Sequence, residues 1–209
     1  MRPVDLSSWP RREIYAFFSG ISDPFYSVTF RLDVTELRRY TKERGLSFYP
    51  SLIWLCTRAL ARVEAFSYAV SEGKLVRLES RRPSFTHLKP GSESFQIVTL
   101  PCEGGLEEFC AAAREKAERQ DFFIDVSGEG IDMIFFSCLP WLDLTALTNE
   151  RNLDPDDAIP RIAWGRYAEE KGRLSLGLSI EVNHRFIDGV HIGRFAQALE
   201  EEIAGLEDH

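Results

Sequence analysis

The chain has 209 residues, 44% of them hydrophobic and 28% charged, which is the make-up of a globular protein with one good-sized domain spanning 1–209. Fifteen Phe, six Tyr and four Trp supply ample apolar surface, so global disorder is excluded. With 33 acids against 25 bases the net charge is −8, and neither nucleic acid nor an anionic membrane is expected as a main partner.

From the N-terminus, Trp9-Pro10-Arg11-Arg12-Glu13 opens a short helix carrying Tyr15, Phe17 and Phe18, with Pro10 tolerated in the first turn. Aromatic and β-branched residues over 26–34 predict a strand. Asp33 or Thr35 can cap a helix over 35–45 that stops at Gly45. A more apolar and largely buried helix starts at Phe48 and runs to about Glu64, with Leu52, Leu55, Cys56, Ala59, Leu60 and Val63 at helical spacing. Ser71-Glu72-Gly73-Lys74 reads as a hairpin turn, and two strands follow near 84–88 and 94–99.

Leu106, Phe109, Cys110, Ala113 and Ala117 define an amphipathic helix. Residues 133–137 form a short buried strand that ends in a turn at Leu139-Pro140-Trp141. Residues 161–167 are expected to pair with the next strand across Glu170-Lys171-Gly172. That next strand, 173–183, alternates strictly: Leu174, Leu176, Leu178, Ile180 and Val182 on one face, Ser175, Gly177, Ser179, Glu181 and Asn183 on the other. His184 falls on the leucine parity and is expected to point toward the buried side. A last helix presents Ile192, Phe195, Leu199, Ile203 and Leu206. This order predicts an α/β two-layer sandwich, a mixed sheet covered by helices on one face.

Cys56, Cys102, Cys110 and Cys138 form no CxxC pair and no zinc-ligand pattern, so they read as reduced thiols and no metal is expected. The N-terminus lacks the apolar core of a signal peptide, and no apolar run approaches the ~20 residues of a membrane span, which points to the cytoplasm. Phosphate loops, HExxH and GxSxG are absent. Of four histidines (His87, His184, His191, His209), His184 stands where a strand runs into a helix, in Asn183-His184-Arg185-Phe186-Ile187-Asp188-Gly189. Asp188 is placed as N-cap and Gly189 allows a tight turn. Spacing alone leaves two readings open, a satisfied histidine beside a helix cap or a catalytic group.

The HxxxDG pattern resembles the catalytic motif of the chloramphenicol acetyltransferase family, shared with the cores of dihydrolipoamide acyltransferases. Similar blocks run from Trp9 to the last helix: Ser8-Trp9-Pro10-Arg11-Arg12-Glu13, Leu32-Asp33-Val34-Thr35, Phe48-Tyr49-Pro50, Ser137-Cys138-Leu139-Pro140-Trp141, Gly165-Arg166-Tyr167 and Asp188 to Arg194. The resemblance implies acetyl-CoA as co-substrate and His184 as general base toward an acceptor hydroxyl, with no acyl-enzyme. It implies Ser137 as oxyanion donor and Asp188 paired with Arg11 to hold the His184 loop rather than to relay protons. Phe18, Tyr26, Phe85, Thr86 and Phe95 match segments that form the acceptor pocket. The family's site lies between subunits of a homotrimer, and chloramphenicol is the expected acceptor.

Three departures bear on that acceptor: Asn183 replaces a histidine, Ala163 a threonine 21 residues before the catalytic histidine, and Phe18 a common tyrosine. Loss of hydroxyls affects discrimination more than basic chemistry. Alternatives are O-acetylation of another alcohol, a dihydrolipoamide acyltransferase core, and a non-catalytic trimeric binding protein.

Overall fold

In a computed structural model that describes residues 1–125 and 130–208, the alternating segment 173–183 is the longest strand. The elements in chain order are β1 (Arg2–Pro3), α1 (Arg12–Ser19), β2 (Phe25–Asp33), α2 (Thr35–Glu43), α3 (Phe48–Ala61), β3 (Tyr68–Ser71), β4 (Lys74–Arg77), β5 (Arg82–Leu88), β6 (Phe95–Thr99), α4 (Leu106–Arg119), β7 (Met133–Leu139), β8 (Arg161–Gly165), β9 (Ala168–Glu170), β10 (Arg173–Asn183) and α5 (Gly189–Ala204). The apolar helix α3 stops at Ala61, short of the expected 64, and a 3-10 turn over Glu64–Ser67 carries the chain on.

Among the described residues, seven strands form the main sheet in the order β2-β10-β8-β7-β5-β6, with β9 beside β10. The pairs β2–β10, β10–β8 and β5–β6 are antiparallel, whereas β8–β7 and β7–β5 are parallel. The expected hairpin across 170–172 is made by β9, not by β8: Ala168 faces Ser175, but Trp164 faces Leu178. Three residues (165–167) therefore oppose two (176–177), and this bulge lets β8 leave the hairpin register. A small second sheet, β1-β4-β3, had no signal in the sequence beyond its hairpin. There Glu72 and Gly73 both take left-handed backbone, φ 51° and 72°, as a two-residue turn between right-twisted strands requires.

The leucine face of β10 packs under the helices, with Leu176, Leu178, Ile180 and Val182 sealed in the core alongside Phe195 and Leu199 of α5. Helices lie on this face, as the two-layer expectation requires. The polar face of β10 is buried too, under the segment 142–159. Gly177 is needed here because a Cβ would overlap the Leu144 carbonyl. Ser179 Oγ donates to the Leu147 carbonyl at 3.3 Å, and Glu181 accepts the Asn149 N–H and the Ser27 hydroxyl, each at 2.9 Å, and a guanidinium N–H of Arg151. Across β5, β6 and β7 the same face is less covered, and Leu88 and Phe95 are exposed.

One buried cation ties the periphery to the sheet. The Arg81 guanidinium donates to the carbonyls of Phe66, Tyr68, Ile131, Met133 and Ala158 at 2.5–3.1 Å. Burial pushes its pKa down to about 10.

Candidate active site

β10 ends at Asn183, and His184 follows it at the rim of the sheet. The imidazole lies on the leucine side, as its parity suggested, but at the edge of the core rather than within it. It lies part-exposed, stacked on Phe18 of α1 with centroids 4.0 Å apart and against Tyr26 of β2 at 4.5 Å. The backbone is anchored by the His184 N–H donating to the Pro24 carbonyl at 2.7 Å. Nε2 lies 3.3 Å from Asp188 Oδ1. Burial holds the pKa of His184 below its ordinary 6.5 and Arg11 adds to this, while Asp188 pulls the other way. The ring is therefore neutral near pH 7 and able to accept a proton.

Arg11, just ahead of α1, organises this corner. Its Nε donates to the Arg185 carbonyl at 2.9 Å and its Nη2 to the His184 carbonyl at 2.8 Å. The same fork meets Asp188, Nη2 on Oδ1 at 2.6 Å and Nη1 on Oδ2. These hydrogen bonds and the guanidinium charge hold the Asp188 carboxyl below the usual carboxylate range.

Asp188 is the N-cap residue of α5, as its position suggested, but its carboxylate is committed to Arg11. His191 closes the turn from inside the helix, its Nδ1 accepting the Asp188 N–H at 2.9 Å. The expectation that Gly189 serves a tight turn is corrected: its φ is not left-handed, and no atom within the chain lies within 4 Å of where a Cβ would stand.

Ser137 is elsewhere. It sits in β7 opposite Ala163 of β8, which faces Ser179 of β10, five residues before His184. At roughly 3.3 Å per residue and 4.8 Å per strand spacing, Ser137 and His184 of one chain lie roughly 17 Å apart along the strands and 10 Å across them. The Phe85–Phe136 pairing sets Thr86 in register beside Ser137, on the face away from the helices, and Phe95 is exposed on β6. Phe85 does not join them. It is 3% exposed and packs against Tyr49 at 5.9 Å, because its alternation directs it to the core. The candidate residues thus fall into two groups: Arg11, Phe18, Tyr26, His184 and Asp188 at one corner, and Thr86, Ser137 and Phe95 on the open half of the sheet.

A model of the family described as chloramphenicol acetyltransferase matches residues 1–200. The chain belongs to the chloramphenicol acetyltransferase family. By that membership it is an enzyme, a CoA-dependent O-acetyltransferase. It is 26% identical over 200 residues to chloramphenicol acetyltransferase 3 of Escherichia coli, covering 94% of each chain. To the chloramphenicol acetyltransferase of Proteus mirabilis it is 28% identical over 201 residues, covering 95% of this chain and 92% of that one. A solved chloramphenicol acetyltransferase matches with a TM-score of 0.89 at 22% identity, covering 97% of this chain and 100% of its own. The dihydrolipoamide acetyltransferase of Azotobacter vinelandii shares the fold more distantly, with a TM-score of 0.70 at 20% identity over 100% of this chain and 98% of its own.

Within this family member, burial pushes every thiol up, Cys102 to about 11 and Cys138 to about 12, so none is a ready nucleophile. Among the described residues no cluster of three or more His, Cys, Asp or Glu could hold a metal ion, and no helix is long and apolar enough to cross a membrane. Motif reading missed Arg185 and His191 and noted Asn183 only as a departure. The signal for Asn183 and Arg185 was a pair of polar residues flanking the strand end, which tells burial only once the cover over 142–159 is known.

Proposed function

We propose that this chloramphenicol acetyltransferase family member moves the acetyl group of acetyl-CoA to a hydroxyl of a small acceptor, chloramphenicol foremost, at sites shared between copies of a homotrimer in the cytoplasm. His184 carries this reading. It is a neutral, accessible imidazole with a backbone held at both its N–H and its carbonyl. In the proposed step, His184 takes the proton of the acceptor hydroxyl as that oxygen attacks the thioester carbonyl. The Ser137 hydroxyl of a neighbouring copy donates to the oxyanion that forms. Collapse breaks the C–S bond, and the proton held by His184 goes to the departing CoA thiolate. The separation of Ser137 from His184 within one chain supports a shared site. Asp188, fixed as a carboxylate by Arg11, orients and does not relay the proton.

Thiol release from acetyl-CoA, measured with chloramphenicol, other alcohols and dihydrolipoamide, tests the proposal. Release is expected with chloramphenicol and is expected to fall by roughly 10²–10⁴-fold in His184→Ala. Release with dihydrolipoamide alone would reassign the acceptor, and ligand binding with no thiol release would leave a binding protein. The shared site has its own test. His184→Ala and Ser137→Ala chains, each inactive alone, should regain activity at about a quarter of the sites when co-assembled at random. No recovery in verified hybrids would place each site within one chain.

A further inference from the structure

The two neighbours of His184 reach the same place, on the side of the sheet away from the helices. Asn183 Nδ2 donates to the Pro155 carbonyl at 2.9 Å and to the Asp157 carbonyl at 3.0 Å. Arg185 Nη1 donates to the same Pro155 carbonyl and, at 2.8 Å, to Asp156 Oδ1. The Asn183 side chain also turns back, its Oδ1 accepting the Arg185 N–H at 3.0 Å. Both side chains are buried.

Arg185 reaches α1 as well. Its Nη2 donates to the Tyr15 hydroxyl and its guanidinium lies 4.2 Å over the Tyr15 ring, on the helix that carries Phe18 against His184. The segment receiving these bonds is braced. The Asp156 and Asp157 N–H groups donate to Asp154, and the Asp157 carboxylate accepts the Ile159 N–H at 2.9 Å and Arg161 Nη2 at 2.8 Å.

We infer that Asn183, Arg185 and the 155–157 segment form a second clamp on the His184 backbone, acting alongside Arg11, so that Asn183 and Arg185 are positioning residues for transfer. The inference rests on the reading of His184 as the general base. Two features separate it from general packing. A buried guanidinium is costly to desolvate and is a poor way to fill space, but its fork fixes direction as well as distance. Asn183 uses two N–H donors and one acceptor at once, a set that a histidine in its place does not supply. The amide that departs from the family pattern thus has a task of its own: it grips 155–157 while tying residue 185 to residue 183.

The test uses the intact assembly with Arg185→Met, Arg185→Lys and Asn183→Asp. Acetyl transfer to chloramphenicol gives kcat and both KM values. In protein carrying 13C-labelled histidine, the ring-proton resonances of His184, assigned with His184→Ala, report its stacking on Phe18. Arg185→Met and Asn183→Asp are expected to lower kcat by roughly ten- to a hundredfold with little change in KM. Arg185→Lys, which keeps the charge and a donor, should recover part of the loss. The His184 ring protons, shifted upfield by the stacked Phe18 ring, should move downfield in Arg185→Met and Asn183→Asp. Unchanged kcat and unmoved ring protons in folded Arg185→Met and Asn183→Asp overturn the clamp. If Arg185→Met does not fold, Asp156→Ala removes a bond from the more exposed end of the network. It is read the same way, a smaller kcat loss supporting the clamp and none overturning it. Should the wild-type protein transfer no acetyl group, or His184→Ala remain active, the base reading fails, and the ring-proton shifts decide the clamp without it.

Discussion

Arg11 and Asp188, 177 residues apart in the chain, meet through two N–H groups on two carboxylate oxygens, while the same guanidinium holds the carbonyls of His184 and Arg185. The pair makes little direct use of its charge in the proposed reaction. It joins the entry of α1 to the entry of α5 and leaves His184 a single backbone path between them. Asp188→Asn and Arg11→Met are each expected to lower stability by roughly 1–3 kcal/mol and to lower kcat more than they raise KM. Denaturant titration of both single variants and the double variant checks this, because a true pair gives a double-variant loss smaller than the sum. Unchanged turnover in Asp188→Asn would remove Asp188 from the site's machinery.

The pH dependence follows from the signs of two shifts. Asp188 ionises below its ordinary 3.8 in the folded chain, so its stabilising effect is full above that value and is lost as pH falls through the lower folded value. His184, also depressed, is protonated in the unfolded chain first, so stability declines as pH drops from 6.5 toward the folded value. The charged and titratable groups facing His184 are Asp188 and Arg11, with Tyr26 beside them. The acid limb of kcat/KM is therefore expected to have its midpoint below 6.5, and a midpoint above 6.5 would contradict the environment described.

Arg81 invites a stability measurement of a different kind. Arg81→Met would leave five backbone carbonyls, from the 3-10 turn, β3, the entry to β7 and residue 158, without their shared donor. The expected loss is roughly 3–5 kcal/mol, since each buried carbonyl left without a donor costs about 1–3 kcal/mol and some will find other partners. Thermal or denaturant unfolding of Arg81→Met and Arg81→Lys measures it, and a loss comparable to a surface substitution would show that those carbonyls find other partners.

Gly177→Ala probes the cover over β10. Its Cβ would overlap the Leu144 carbonyl, so the segment after Leu142 must lift from the sheet or the strand must bend. Roughly 1–3 kcal/mol of destabilisation is expected from such overpacking, with faster amide exchange in residues 144–149 as the local sign. Gly189→Ala, where no atom of the chain stands near a Cβ, should leave the isolated chain's stability nearly unchanged.

Most of the elements were legible from periodicity. The alternation of 173–183, the spacing of Leu106 to Ala117 and the turn at Glu72-Gly73 each impose one local geometry, and each formed as expected. The pairing of β8 was not, because the bulge at 165–167 depends on how Gly165 and Gly177 meet Leu142 and Leu144, contacts that no local pattern encodes. The proposed site rests on the resemblance and much less on spacing. Parity told which side His184 takes, beside Tyr26, but not that the ring stays part-exposed where the strand runs out. Phe85 was grouped with the pocket through the resemblance alone, and its inward face is told by the register of both neighbouring strands.

The open half of the sheet also constrains how the molecule is made. Under the proposed assembly, each new chain carries Leu88, Phe95 and Phe123 exposed near Thr86 and Ser137 until copies meet. A surface of that kind associates correctly or aggregates, and both outcomes accelerate with concentration but with different orders. If the proposed trimer is the folded form, refolding yield is expected to pass through a maximum as protein concentration rises. Dilution starves assembly on one side, and clumping overtakes it on the other.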